Sequence, residues 1–271
     1  MRRIVGTALR TSLRALASLR SYLPAPSGAR IITYHSVRPV GSGARSSYVH
    51  PDDFAAQMRW LVQAGYQVVP LTALAECLQR GDRLPDNWVC ITFDDGYADN
   101  YIHAFPVLRQ YKLPATIFLV SGKINRDPLF LTFDQMAEMS HHGIDFGAHT
   151  VDHVSLSSLP AAEAERQVRE SLQQVEVMQG ATPRHFCYPF GHYNETVEGF
   201  VRSAGFLSCC TEQAGTVQSG SNPLRLRRAG ILGTDTLRDF QLKVGGAYDW
   251  WINLYMQIEE QRRRKRGGMP A

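Results

Sequence analysis

The chain has 271 residues, 44% of them hydrophobic, and a net charge of +4. That is enough apolar material for one large core, which excludes a disordered chain or a small disulfide-stapled module. The charge is uneven: residues 1–30 hold six arginines and no acid, residues 259–271 are net +3, and the body between them is net −5. An acidic body argues against a nucleic-acid-binding surface there, and no nucleic-acid partner is expected.

At helical spacing Val5, Leu9, Leu13, Leu16, Leu19 and Leu23 form one stripe, with Arg3, Arg10 and Arg14 on a neighbouring face. Residues 1–28 therefore read as an amphipathic basic helix, lying on an anionic membrane surface or packed on the end of the body. No apolar run is long enough to span a bilayer, and Arg10, Arg14 and Arg20 interrupt any signal-peptide core. An Arg-rich, acid-free helix is also the form of a transit peptide. The expected location is the cytoplasm or the inner-membrane periphery, with an exported form left open.

Through the body one pattern recurs: a helical run, a glycine, then a β-rich run. Phe54–Ala64 leads through Gly65 into Tyr66–Val69, Phe133–His142 through Gly143 into Ile144–Phe146, and Thr196–Ala204 through Gly205 into Phe206–Cys210. A glycine past a helix end turns the chain into the next strand. Further strands are predicted at Ala29–Tyr34, Trp88–Phe93, Ala115–Val120, His185–Tyr188 and Arg225–Ile231. Helices are predicted at Leu71–Gln79, Asp99–Tyr111, Ala161–Gln179 and Thr234–Val244. Alternating strands and helices imply parallel βα units, and seven or eight of them close into a barrel more readily than they form an open sheet. The predicted fold is α/β: one barrel domain over residues 29–258, preceded by the helix. Residues 248–256 are aromatic-rich, and residues 259–271 form a basic tail expected to be disordered. Cys77, Cys90, Cys187, Cys209 and Cys210 have no metal-knuckle spacing and read as reduced core residues.

Two runs carry the chemistry. Ile91-Thr92-Phe93-Asp94-Asp95-Gly96 reads as a strand ending in adjacent carboxylates and a turn glycine. His149-Thr150-Val151-Asp152-His153 places two imidazoles four residues apart after another strand. Each alone has a bland reading, a turn and a surface histidine pair. At neighbouring strand ends, one carboxylate and two histidines can hold a divalent metal with positions left open, and the second carboxylate is free to act as a base.

Together with Phe186-Cys187-Tyr188-Pro189-Phe190-Gly191, these runs resemble the three leading motifs of the polysaccharide deacetylases of the NodB-homology type, in order, from Ile31 to Leu232. The resemblance implies a distorted (β/α)7-8 barrel and a metal-dependent N-deacetylase of an N-acetylated glycan, polymeric or lipid-linked. It implies Asp95, His149 and His153 as metal ligands, with zinc the default ion. It implies Asp94 as the base and the Phe190 amide as the donor to the developing oxyanion. Tyr97, Tyr188, Pro189 and His192 are the expected substrate contacts. Other readings are a non-sugar amide or imide hydrolase of the same fold, and an inactive glycan-binding barrel. The oligomeric state is open.

Two departures from the family pattern stand out. Cys187 occupies the place of the arginine that braces the catalytic aspartate, and Arg227 or Arg228 is the substitute, Arg228 by its place after Leu224-Arg225-Leu226-Arg227. No histidine follows His192, whereas the strand Ile31–Tyr34 runs into His35. That arrangement resembles the circularly permuted branch acting on poly-N-acetylglucosamine. It implies His35 as the general acid, with His192 the competitor.

Overall fold

The structure, a computed structural model, describes Ala17, residues 27–39 and residues 48–249. The helix expected over residues 1–28, the aromatic run beyond Asp249 and the basic tail lie outside the described residues, apart from Ala17 and the segment from Ser27. No described helix is long and apolar enough to cross a membrane.

The body is a curled parallel sheet wrapped in helices. Strand β1 (Arg30–Tyr34) is followed by the short pair β2 (Ser36–Val37) and β3 (Tyr48–Val49), then α1 (Pro51–Gln63), β4 (Gln67–Val68), α2 (Leu71–Arg80) and β5 (Trp88–Phe93). Next come α3 (Phe105–Tyr111), β6 (Ala115–Leu119), α4 (Phe133–Ser140), β7 (Ile144–Ala148), α5 (Ala161–Gln179) and β8 (His185–Cys187). The chain continues through α6 (Glu195–Ser203), β9 (Ser208–Cys210), β10 (Ala229–Gly230) and α7 (Leu237–Val244). The strand order is β10-β1-β5-β6-β7-β8-β9, with β4 against the start of β5. All these pairings are parallel, as a helix between successive strands requires.

The predicted elements are recovered closely, with two corrections. The run predicted as one strand over Arg225–Ile231 changes partner midway. Leu226 bridges Cys210 of β9, whereas Ala229 and Gly230 pair with Ile32 and Thr33 of β1. A segment serving two neighbours in turn forms only a two-residue strand, and it closes the seam between the last and first strands of the barrel. The run predicted as one helix over Asp99–Tyr111 begins with a wide π turn, Asn100–Ala104, in which the Phe105 amide reaches back to the Asn100 carbonyl. Pro106 follows and has no amide to give, so an ordinary helical ladder cannot run through this point.

Local signals explain the helix ends. Pro51 opens α1, and His50 Nδ1 accepts from the Asp52 amide. Thr132 and Gln135 form a capping box on α4. The three post-helix glycines, Gly65, Gly143 and Gly205, take φ of 77°, 84° and 88°, as the recurring pattern required. The main core lies between sheet and helices, around Tyr34, Phe54, Met58, Phe93, Phe146, Phe186 and Phe240. A second cluster fills the inside of the sheet with Ala29, Ile31, Cys90, Phe118, Cys187, Cys210 and Leu226. Each large side chain buried there stabilises by about 1.5–3 kcal/mol. All five cysteines are buried and unpaired, as expected of reduced core residues.

Candidate active site

Parallel register lines up the ends of the strands. Tyr34 pairs with Phe93, so His35 and Asp94 leave the sheet side by side. Leu119 pairs with Ala148, so His149 follows at the same level two strands away. The motif residues therefore meet at the carboxyl edge, where barrel sites form.

His149 and His153 direct Nε2 at one atom, Asp95 Oδ1, from 3.7 and 3.2 Å. That carboxylate oxygen is buried and has no hydrogen-bond partner. Leaving it unpaired is costly, and a cation at the convergence of these three donors removes the cost. The Nδ1–H of His149 donates to the Cys187 carbonyl at 2.7 Å, which fixes the tautomer and leaves Nε2 free to ligate. Burial lowers the His149 pKa, favouring the neutral ring that a metal needs. One carboxylate and two imidazoles on one side are a donor set that fits a divalent ion such as zinc.

Asp94 lies beside this set and is held differently. Arg228, fully buried, donates Nη1 to Asp94 Oδ1 and Nη2 to Oδ2, both at 2.7 Å. Burial pushes the Asp94 carboxyl up, but the Arg228 charge and hydrogen bonds overcome this and hold it well below the usual carboxylate range. Of the two candidate arginines, then, Arg228 reaches Asp94, while Arg227 donates to the Ala214 carbonyl. Cys187 lies 3.2 Å from Arg228 Nη2. Its small side chain leaves the room that the incoming guanidinium occupies. Arg228 also donates to Thr33 Oγ1, to the Thr211 carbonyl and to Glu212, a carboxylate that no sequence pattern had marked.

The backbone is strained where these residues sit. Six non-glycine described residues have positive φ, and four of them are Asp95, Thr150, His153 and Phe190. Such conformations cost on the order of 1–3 kcal/mol each and persist only where surroundings enforce them. For the second motif the enforcer is Gln167 of α5, buried, whose Oε1 accepts from the amides of Val151 and Asp152. Gln167 is the second residue that the sequence did not disclose.

The third motif makes a tight turn in which the Gly191 amide donates to Tyr188 O and the His192 amide to Pro189 O. The Phe190 ring is half-exposed and stands 4.7 Å from the His153 ring. Tyr188 and Pro189 are both buried, and the Tyr188 hydroxyl donates to the Leu224 carbonyl. The substrate contact expected of these two is thereby corrected: they shape the turn from below. His192 Nδ1 meets Ser155 Oγ at 3.2 Å, whereas His35 Nε2 stands 4.0 Å from Asp94 Oδ2 with its side chain 45% exposed. The Tyr97 ring packs tilted against Phe130, with centroids 5.0 Å apart. Burial, and then the neighbouring Asp95 carboxylate, push its hydroxyl up to about 12.

A family model described as polysaccharide deacetylase matches residues 81–208. YxkH of Bacillus subtilis (strain 168), a protein named for the same family, is 32% identical over 206 residues, which cover 76% of this chain and 72% of YxkH. The chain belongs to the polysaccharide deacetylase family. It is also 24% identical over 257 residues to the poly-β-1,6-N-acetyl-D-glucosamine N-deacetylase of Escherichia coli (strain K12). That alignment covers 79% of this chain but only 38% of the relative, so the chain spans well under half of that protein. Among solved structures, the Streptococcus pyogenes deacetylase PplD in complex with acetate is similar, with a TM-score of 0.75 and 25% identity, over 81% of this chain and 99% of PplD. β1 lies between β10 and β5, so His35, at the end of the first strand, emerges at the same edge as Asp94.

Proposed function

We propose that this deacetylase removes the N-acetyl group from an amino sugar of a glycan, using a divalent metal held by Asp95, His149 and His153. The observation that carries the reading is the buried, unpartnered Asp95 Oδ1 facing two imidazole nitrogens, beside an Asp94 clamped by a buried arginine. A divalent ion there supplies Lewis-acid chemistry at the acetyl carbonyl.

The chain's own groups account for the remaining steps. Asp94, kept ionised by Arg228, takes a proton from the attacking water. The water oxygen bonds to the acetyl carbon, and the Phe190 amide donates to the carbonyl oxygen as it gains charge. His35 gives its proton to the sugar nitrogen as the C–N bond breaks, and acetate leaves. Arg228 answers the missing arginine at position 187, which was the motive for the inactive-barrel reading.

A sugar is favoured over a compact amide because apolar groups flank the ligand set on two sides. Phe190 stands beside His153, and Tyr97 with Phe130 stands beside Asp95, next to Leu129, which is 66% exposed. Aromatic faces pack well on the C–H faces of pyranose rings. The name of the Escherichia coli relative supports a poly-N-acetylglucosamine-like substrate. The five arginines of residues 1–28 support a place at an anionic membrane surface, on the cytoplasmic side or the inner-membrane periphery.

The test is acetate release from β-1,6-linked N-acetylglucosamine oligomers, with and without a chelator. Release that stops on chelation and returns with zinc is expected. No release from any N-acetylated glycan, together with turnover of a small cyclic imide, would replace this reading with the non-sugar one.

A further inference from the structure

We infer that Asp99 and Asn100 are positioning residues for His35, an inference that rests on the reading of His35 as the proton donor. His35 lies in the bend between β1 and β2, outside the ladder of the main sheet. Its ring is nearly half-exposed, so little packing fixes its place. The chain around it, by contrast, is held at three successive residues, through the backbone of His35 and Val37 and the hydroxyl of Ser36. Asn100 Nδ2 donates to the His35 carbonyl at 2.9 Å. Asp99 Oδ2 accepts from the Ser36 hydroxyl, and Asp99 Oδ1 accepts from the Val37 amide at 3.2 Å. Asn100 Nδ2 also donates to Asp99 Oδ1 at 3.1 Å, so the two side chains act as one brace.

The brace stands five and six residues beyond Asp94, at the mouth of the π turn. Such turns recur at functional sites. The loop that carries the base thereby carries the support of the acid, and the two groups share one frame. Asn100 itself points to this role. It is fully buried, and its Oδ1 has no partner, an arrangement that costs stability. A leucine of similar size would avoid that cost, so the amide earns its place through its N–H donor.

The test separates positioning from folding by leaving group. An N-acetyl sugar needs its departing nitrogen protonated, whereas an activated aryl acetate expels a stable phenolate without an acid. Metal-loaded full-length protein is assayed on both substrates as wild type, Asn100→Leu, Ser36→Ala, His35→Ala and the double variant Asn100→Leu/His35→Ala. Asn100→Leu is expected to lower kcat on the N-acetyl oligomer by about 10–100-fold, with KM unchanged and the aryl acetate rate within about twofold of wild type. In the His35→Ala background it should add no further loss, because the group it positions is gone. Ser36→Ala, a milder change, should move the same ratio in the same direction and keeps the test open if Asn100→Leu misfolds. An equal loss on both substrates, or an additive loss in the double variant, overturns the inference. If His35→Ala itself leaves the amide-to-ester ratio unchanged, the proton-donor reading fails first; a changed ratio there, with no change in Asn100→Leu and Ser36→Ala, sinks the brace alone.

Discussion

Arg228→Met tests whether the clamp on Asp94 is a stability element as well as an electrostatic one. Methionine approximates the volume of the arginine stem but supplies no donor. Asp94 then keeps its burial and loses both 2.7 Å hydrogen bonds, and Glu212 loses its partner as well. Removing one member of a buried ion pair typically costs about 3–5 kcal/mol, because the other charge is stranded. Against a total stability of roughly 5–15 kcal/mol, that brings the protein near the edge of folding. The pH dependence is the sharper signature. In the wild type the Asp94 carboxyl sits below its ordinary range, so its contribution is present at neutral pH and is lost only as pH falls through that depressed value. In the variant, burial, the largest influence on Asp94, is opposed only by the weaker effects of His149 and His35 and raises the carboxyl, so the penalty is largest at neutral pH and eases as the group takes up a proton. Urea unfolding of the metal-free proteins should show the gap between wild type and variant narrowing from pH 7 to about pH 4.5. A gap below about 1 kcal/mol at pH 7, or one that stays constant on acidification, would refute the argument.

Three further outcomes are expected. His149→Ala and His153→Ala should lose bound zinc and all deacetylation, whereas Asp94→Asn should keep zinc and lose activity; metal analysis showing Asp94→Asn empty and Asp95→Asn loaded would exchange the two aspartates. Gly191→Ala should lower kcat by about 10²-fold, since a Cβ there would stand 2.6 Å from the Glu212 amide nitrogen at φ +70° and push the Phe190 turn off its position; a normal rate would show that the turn is not part of the site. Deletion of residues 1–23 should abolish salt-sensitive sedimentation with anionic liposomes while sparing turnover of a soluble oligomer; undiminished sedimentation would end the membrane reading.

Much of the site was legible because its parts are local. A strand ending in Asp94-Asp95-Gly96 and a pair of histidines four apart carry their geometry within a few residues. Helix-end glycines and cap residues likewise announced the βα rhythm that puts those ends on one edge. What stayed hidden depends on how the chain folds back on itself between motifs. Glu212 and Gln167 belong to no motif, and each meets its partner across an intervening loop: Glu212 pairs with Arg228 sixteen residues on, and Gln167 reaches back from its helix to the amides of Val151 and Asp152. The burial of Tyr188 was hidden too, since a tyrosine beside a turn proline is written the same way whether its ring faces a cleft or a core. The π turn at Asn100 had one sequence signal, Pro106 inside a helical run, and that signal was open to reading in advance.

The seam has a consequence for when this protein becomes an enzyme. The proposed metal-ligand set is complete once the chain has passed His153, but the segment that closes the sheet and carries Arg228 comes more than seventy residues later. A nascent chain on the ribosome can gather its ligands early while its base still lacks a counter-ion, so hydrolytic competence waits for the arrival of the final strand. The same order marks a place to divide the molecule. Gln218, Ser219 and Gly220 form an exposed turn just ahead of the seam. Two fragments cut there would place the base on one piece and its arginine on the other, making reassociation the switch for activity.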